Sequence, residues 1–90
     1  MNLTWDETKR QTTLAERAVD FAQAGEVFSG PTAEFEDIRK NYGEQRMICF
    51  GWLAGRLMAV GYVQRGQSRH IFSMRKANDR EITRYAQQLA

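Results

Sequence analysis

The chain has 90 residues, 42% of them hydrophobic and 27% charged, with a formal net charge of +2. That is room for one domain with one modest core, so residues 1–90 are expected to fold as a single unit, and the composition excludes a disordered tail. The lone Cys49 excludes an intrachain disulfide and a thiolate zinc site, and no apolar run approaches the roughly 18–20 residues of a membrane span.

The first ten residues, MNLTWDETKR, lack the apolar core of a signal peptide, so a cytoplasmic location with no membrane association is expected. Charge is divided unevenly along the chain. Residues Gly61–Ala90 carry six basic and two acidic side chains, whereas the first sixty carry seven basic and nine acidic. Such polarity points to an anionic partner, with phosphate chemistry or nucleic-acid binding first in line.

Asn2–Trp5 reads as a short opening strand. Asp6 then offers an N-cap and Glu7 a favourable first-turn charge. Leu14, Ala18, Phe21 or Ala22, and Val27 or Phe28 recur at helical spacing, and Thr12-Thr13 with Asp20 divide the segment into two short helices, Asp20 capping the second. Ser29-Gly30-Pro31 stops the helix. A meander follows. Glu34–Lys40 is a polar edge strand, and Arg46–Trp52 alternates Arg46, Ile48, Phe50 and Trp52 against Met47, Cys49 and Gly51. Ala54-Gly55 turns the chain into Leu57–Gln64, and Arg65–Ser68 turns it again into Arg69–Lys76. Asn78 and Glu81 form a capping box for a closing helix whose Ile82, Tyr85, Ala86 and Leu89 should dock on the sheet. The expected fold is α+β in two layers, with N-terminal helices, an antiparallel meander of three to four strands and a C-terminal helix.

Strict alternation in the last strand puts Arg69, Ile71, Ser73 and Arg75 on one face and His70, Phe72, Met74 and Lys76 on the other. Arg65 reaches the first of these faces across the turn. Guanidinium groups spread over a strand surface match phosphate oxygens bidentately, which ammonium groups do not. The alternative is a solvated face whose arginines pair with Glu34, Glu36, Asp37 and Glu44. His70 is the only histidine and has no ligand spacing around it, so neither metal nor cofactor is expected. Cys49 sits in an apolar run as a buried, inert thiol, and Trp52 and Tyr62 are read as core, with partner anchoring as their alternative role. Metal-free RNA cleavage remains as the enzymatic option. The ribose 2′-hydroxyl attacks the adjacent phosphate while arginines stabilise the developing charge, and tyrosinate, a carboxylate or the histidine could serve as base.

Several separated motifs line up with one family: W-D-E-T-K at Trp5–Lys9, V-D-F-A-Q-A at Val19–Ala24, E-V-F at Glu26–Phe28 and G-E-Q-R at Gly43–Arg46. G-R-L at Gly55–Leu57 and I-F-S-M-R-K-A-N-D-R-E at Ile71–Glu81, with Tyr85 following, complete the set. In order and spacing the chain resembles BrnT-type toxins of bacterial type II toxin–antitoxin modules. The resemblance implies a RelE-like fold and a ribonuclease that halts translation. It also implies a BrnA-type ribbon–helix–helix antitoxin, a heterotetramer, RNA as substrate, and operator DNA bound only through the antitoxin. Lys9, Arg46, Arg65, Arg75 and Lys76 match the family's basic positions. Arg46, Arg65, Arg75 and Arg17 are the catalytic candidates, with Lys9, Arg69, Lys76 and Tyr85 as substrate-binding candidates. One departure stands out: Glu16-Arg17-Ala18 replaces the Lys-His-Gly that many members carry, and Arg17 stabilises charge but is no base at neutral pH. His70 lies on a different element and is not expected to replace that histidine. A catalytically silent antitoxin-binding module acting as co-repressor is therefore the competing function.

Overall fold

The structure, a computed structural model, describes residues 1–90. Strand β1 (Asn2–Trp5) leads into helix α1 (Glu7–Arg17), whose N-cap Asp6 accepts a hydrogen bond from the Lys9 N–H at 3.0 Å. The helix ends where Ala18 turns left-handed at φ 55°. No α1 residue is buried, and Leu14, expected in the core, is 37% exposed. Asp20 caps a 3₁₀ turn (Phe21–Gln23) that runs into α2 (Ala24–Ser29), and there the apolar spacing does reach the core through Phe21, Ala24 and Val27.

Strands β2 (Thr32–Glu36), β3 (Met47–Leu53), β4 (Arg56–Arg65) and β5 (Ser68–Lys76) form an antiparallel meander. Its β3–β4 turn has positive φ at both Ala54 and Gly55, the backbone that suits the twist of a tight hairpin. β1 joins β5 in parallel, which makes a five-stranded mixed sheet in the order β1-β5-β4-β3-β2 in place of the expected three to four strands. β2 also starts earlier and stops sooner than Glu34–Lys40. Asp37 leaves the strand and turns inward, accepting hydrogen bonds from the Arg39 guanidinium, the Arg39 N–H and the Tyr42 hydroxyl.

The helices lie on both sides of the sheet, not in one covering layer. One face packs Cys49, Met58, Val60, Tyr62, Ile71 and Met74 against Val19, Phe21, Ala24 and Val27. The other packs Phe50, Leu57 and Ala59 against Ala77, Leu89 and Tyr85, which belong to α3 (Asp79–Tyr85) and its flanks. The capping box of α3 is complete, with Asn78 and Glu81 bonded to each other's backbone N–H at 2.9 Å. Helical geometry stops at Tyr85, so Leu89 docks from a following turn while Ile82 stays 38% exposed. Tyr62 is a core residue, buried with its hydroxyl donating to Glu34, which excludes it as an exposed anchor. Trp52 is half-buried against the α3-side cluster, and its Nε1 donates to the Leu89 carbonyl at 2.9 Å.

The closest approach of α2 to the sheet is at Gly51 of β3. A Cβ there would stand 2.8 Å from a Val27 methyl and 3.1 Å from the Val27 carbonyl oxygen. Because a backbone atom is involved, Gly51→Ala must lift α2 from the sheet. The expected loss is about 1–3 kcal/mol, the usual cost of overpacking. It should be visible as a thermal midpoint lowered by roughly 4–8 °C per kcal/mol.

Candidate functional site

Which side chains share a face is set by a bulge. Gly61 of β4 pairs with Ser73 of β5, but Tyr62 pairs with Ile71, so Phe72 is an extra residue in β5. Alternation therefore changes phase there. His70, Ser73 and Arg75 stand on the α3 side, while Arg69, Ile71 and Met74 stand on the α2 side. The expected grouping of Arg69 with Ser73 and Arg75 is overturned.

On the α3 side the helix covers only the half of the sheet around Phe50, Leu57 and Ala59. In the other half, Thr4 of β1 pairs with His70 of β5, and His70 pairs with Val63 of β4. One residue beyond the last β3–β4 pair, Met47 with Tyr62, Arg46 continues this row opposite Val63. Adjacent strands are about 4.8 Å apart, so the Arg46 and His70 backbones flank Val63 at roughly 10 Å from one another. Arg65 occupies the next row on the same face, opposite Ser68.

The guanidinium of Arg46 lies between two rings, 4.3 Å from the Tyr42 centroid and 4.6 Å from that of Phe72. Stacking fixes its plane, and the cation–π contacts favour its charge. Its Nε is shielded from solvent without a hydrogen-bond partner, and no ion pair of the chain uses it. Arg65 makes a single loose contact with Glu44 at 3.5 Å, the side chains being 54% and 35% exposed. Lys9, from the first turn of α1, brings its Nζ to 5.8 Å from the Phe72 ring. His70 Nδ1 lies 2.9 Å from Thr4 Oγ1. Burial, and next to it the Arg65 charge, lower the His70 pKa below its usual 6.5.

The other candidates lie elsewhere or are already engaged. Arg75 shares the face but donates two hydrogen bonds to Glu81, at 2.7 and 2.8 Å. Its partner is thus the capping residue of α3 and none of the four acids expected. Arg69 is on the opposite face, stacked 4.6 Å from the Phe28 centroid and 4.5 Å from that of Tyr62. Lys76 pairs with Met58 and lines a shallow cleft on the α2 side with Ala18, Gln23 and Arg56. Tyr85 stacks on Phe50 at 4.5 Å as part of the α3 packing. Arg17 donates to the Met74 carbonyl at 3.4 Å, along the stretch of β5 that β1 does not reach.

The roomiest cleft, about 460 Å³, runs beneath β2 and α3 and includes Phe35, Ile38, Asp37, Arg39, Arg75 and Glu81. Both of its cations are already doubly bonded to carboxylates, Arg39 to Asp37 and Arg75 to Glu81. Cys49 is buried, and burial foremost pushes its thiol up to about 12, so it stays protonated. Of the arginines that the sequence singled out, Arg46 and Arg65 are the two with no close carboxylate partner on this face. The sequence passed over His70 and Phe72, because the bulge that brings them to this face has no signature in the apolar pattern beyond Gly61.

A planar, stacked guanidinium, a loosely held second one, a lysine and an imidazole on one face make an anion-binding surface of the kind that suits a phosphodiester. The profile of the family described as "Ribonuclease toxin, BrnT, of type II toxin-antitoxin system" matches residues 5–81. The chain belongs to this family of ribonuclease toxins. No curated protein matches it, and no helix is long and apolar enough to cross a membrane.

The Arg75–Glu81 pair has a pH signature. The Arg75 hydrogen bonds, followed by the Asn78 N–H among the stabilising contacts, hold the Glu81 carboxyl below its usual 4.5 despite the opposing effect of burial. The folded state therefore binds fewer protons than the unfolded chain. Its stabilisation is complete above about pH 4.5 and is lost as pH falls through the lower folded value. Glu81→Gln should unfold at lower urea than the native chain at neutral pH, and the gap between their midpoints should narrow as the pH is taken below about 4.5.

Proposed function

We propose that this chain is a metal-independent endoribonuclease that halts translation, acting through the face that carries Arg46, Arg65 and Lys9. A BrnA-type ribbon–helix–helix antitoxin neutralises it in a heterotetramer and supplies all contact with operator DNA. Membership of the ribonuclease toxin family supports the reaction class. The observation that carries the site is the Arg46 guanidinium, held flat between Tyr42 and Phe72 with no carboxylate assigned to it. In this reading Arg46 stabilises charge on the phosphorane oxygens, Arg65 exchanges Glu44 for a phosphate oxygen, and Lys9 holds a flanking phosphate. Arg75 acts indirectly by fixing α3, and Arg17, Arg69, Lys76 and Tyr85 take no direct part.

Arg46→Ala should lower cleavage of a labelled RNA by about 10²–10³-fold, the typical cost of one electrostatic donor. It should also relieve growth arrest on induction without the antitoxin. Arg46→Lys should restore little, since an ammonium neither stacks as a plane nor binds bidentately. Unchanged cleavage by Arg46→Ala would remove Arg46 from the site.

A second reading, a catalytically silent antitoxin-binding module, is favoured by the carboxylate partners of Arg65 and Arg75 and by Arg17 at the family's histidine position. There the basic face holds an acidic antitoxin segment, which charge complementarity would recruit quickly. RNA left intact by the native chain, with antitoxin binding retained and weakened by Arg46→Ala, would select it.

A further inference from the structure

We infer that His70 is the general base of this site, taking the proton of the attacking ribose 2′-hydroxyl on Nε2 while Thr4 holds its Nδ1. The inference rests on the face around Arg46 and Arg65 being the RNA-cleaving site. The geometry comes from the sheet itself. Thr4, His70 and Val63 stand in one row across β1, β5 and β4, and Arg46, the residue before β3, extends that row by alternation and reaches the same face, over the Phe72 ring. Val63 is buried between the two polar members, and Arg65 is diagonal to His70, about 7–8 Å away along the hairpin. A phosphodiester bridging the side chains above this row would meet guanidinium on one side and imidazole on the other. That is the separation needed for one group to stabilise phosphate oxygens and the other to reach the neighbouring 2′-oxygen.

The Thr4 contact, 2.9 Å from Oγ1 to Nδ1, fixes the ring in place and serves either tautomer, since the hydroxyl both donates and accepts. In the working tautomer the proton is on Nδ1, donated to Thr4, and Nε2 keeps its lone pair. The groups around the ring keep it neutral. Arg65 from β4 and Lys9 from α1 oppose a positive charge there, Glu44 from the β2–β3 loop and Asp6 at the α1 cap act the other way, and burial outweighs them all. Neutral imidazole at physiological pH is the form that accepts a proton. In the step, the 2′-oxygen forms a bond to phosphorus, its proton passes to Nε2, and the bond from phosphorus to the 5′-oxygen breaks. The 5′-oxygen takes a proton from water, and His70 returns its own to solvent. The products are a 2′,3′-cyclic phosphate and a 5′-hydroxyl end. No other strand histidine exists in the chain.

The test is single-turnover cleavage of a labelled oligoribonucleotide between about pH 5 and 8 by the native chain and by His70→Asn, Thr4→Val and Arg46→Ala. Asparagine keeps a polar atom near the Nδ1 position for Thr4 but offers none at Nε2. The native rate should rise with pH to a plateau, with a midpoint below 6.5. His70→Asn should lose about 10²–10⁴-fold, together with that acid limb. It should still bind a non-cleavable 2′-deoxy oligonucleotide as the native chain does, which separates a lost base from a lost fold. Thr4→Val should keep the limb with a smaller loss, and Arg46→Ala should lose rate while keeping the limb. If His70→Asn retains both rate and limb while Arg46→Ala is impaired, the assignment of His70 is overturned and the site stands. If the native chain leaves RNA uncut, or Arg46→Ala cuts as the native chain does, the site and the base fall together.

Discussion

The extra residue in β5 governs both the core and the candidate site. Opposite Gly61, two residues of β5 occupy the space of one, so Ile71 and Met74 both reach the α2-side core although they are three positions apart. By the same phase change His70 and Arg75 share the α3 side. A strand without the bulge would bury either Ile71 or Met74, never both, and would turn His70 away from Arg75. Gly61 is the permissive partner. The tip of the Phe72 ring lies 2.7 Å from where a Cβ would stand, so the ring covers the glycine and continues to Arg46. One backbone irregularity thus supplies core packing and the platform for a stacked guanidinium, a coupling expected where bulges re-aim side chains near functional sites.

Positive charge alone does not identify an anion site in this protein; what surrounds each guanidinium does. Arg75 makes two short bonds to a carboxylate that is itself the reciprocal half of a helix cap, so recruiting it to a ligand would loosen α3. Arg69 is tied to aromatic faces on the far side of the sheet. Arg65 has one long, solvated contact, of the sort that contributes about 0–1 kcal/mol, so a phosphate oxygen can displace its acid easily. Arg46 has its plane fixed by rings and its charge unanswered within the chain. A hydrogen bond to an ionised group is worth about 1.5–3 kcal/mol, more than the loose pair that Arg65 must give up.

Local signals carried most of the secondary structure. The caps at Asp6, Asp20 and Asn78, the Gly30-Pro31 stop and the two tight turns each act within a few residues, and all are where the sequence placed them. The alternation of Arg46, Ile48, Phe50 and Trp52 against Met47, Cys49 and Gly51 held as well, because β3 has no irregularity. Failures came where a long-range partner decides. Leu14 fits a helical stripe, yet α1 touches β5 mainly through Lys9 and Arg17 and buries none of its residues. β1 is too short to announce a parallel partner 66 residues away, and its pairing with β5 is what brings Thr4 to His70. The segment after Glu36 reads as strand until Asp37 finds Arg39 and Tyr42. The site was legible as a list of arginines, but its membership depended on strand phase, which composition does not encode.

The candidate site draws Thr4 and Lys9 from the start of the chain, Tyr42 and Arg46 from the middle, and Arg65, His70 and Phe72 from the last third. Two of its groups, His70 and Phe72, stand on β5, whose pairing with β1 closes the longest loop in the sheet. Contacts of that sequence separation form late, since loop-closure entropy must be overcome before they stabilise anything. Helix α3 contributes no group to the row of Thr4, His70, Val63 and Arg46, but it holds Arg75 through Glu81 and covers Phe50 and Leu57 beside that row. A chain ending before His70 would have Arg46 but neither the phenylalanine that stacks on it nor the imidazole across Val63. The polar row is therefore a property of the completed sheet, and no partial fold of this chain presents it.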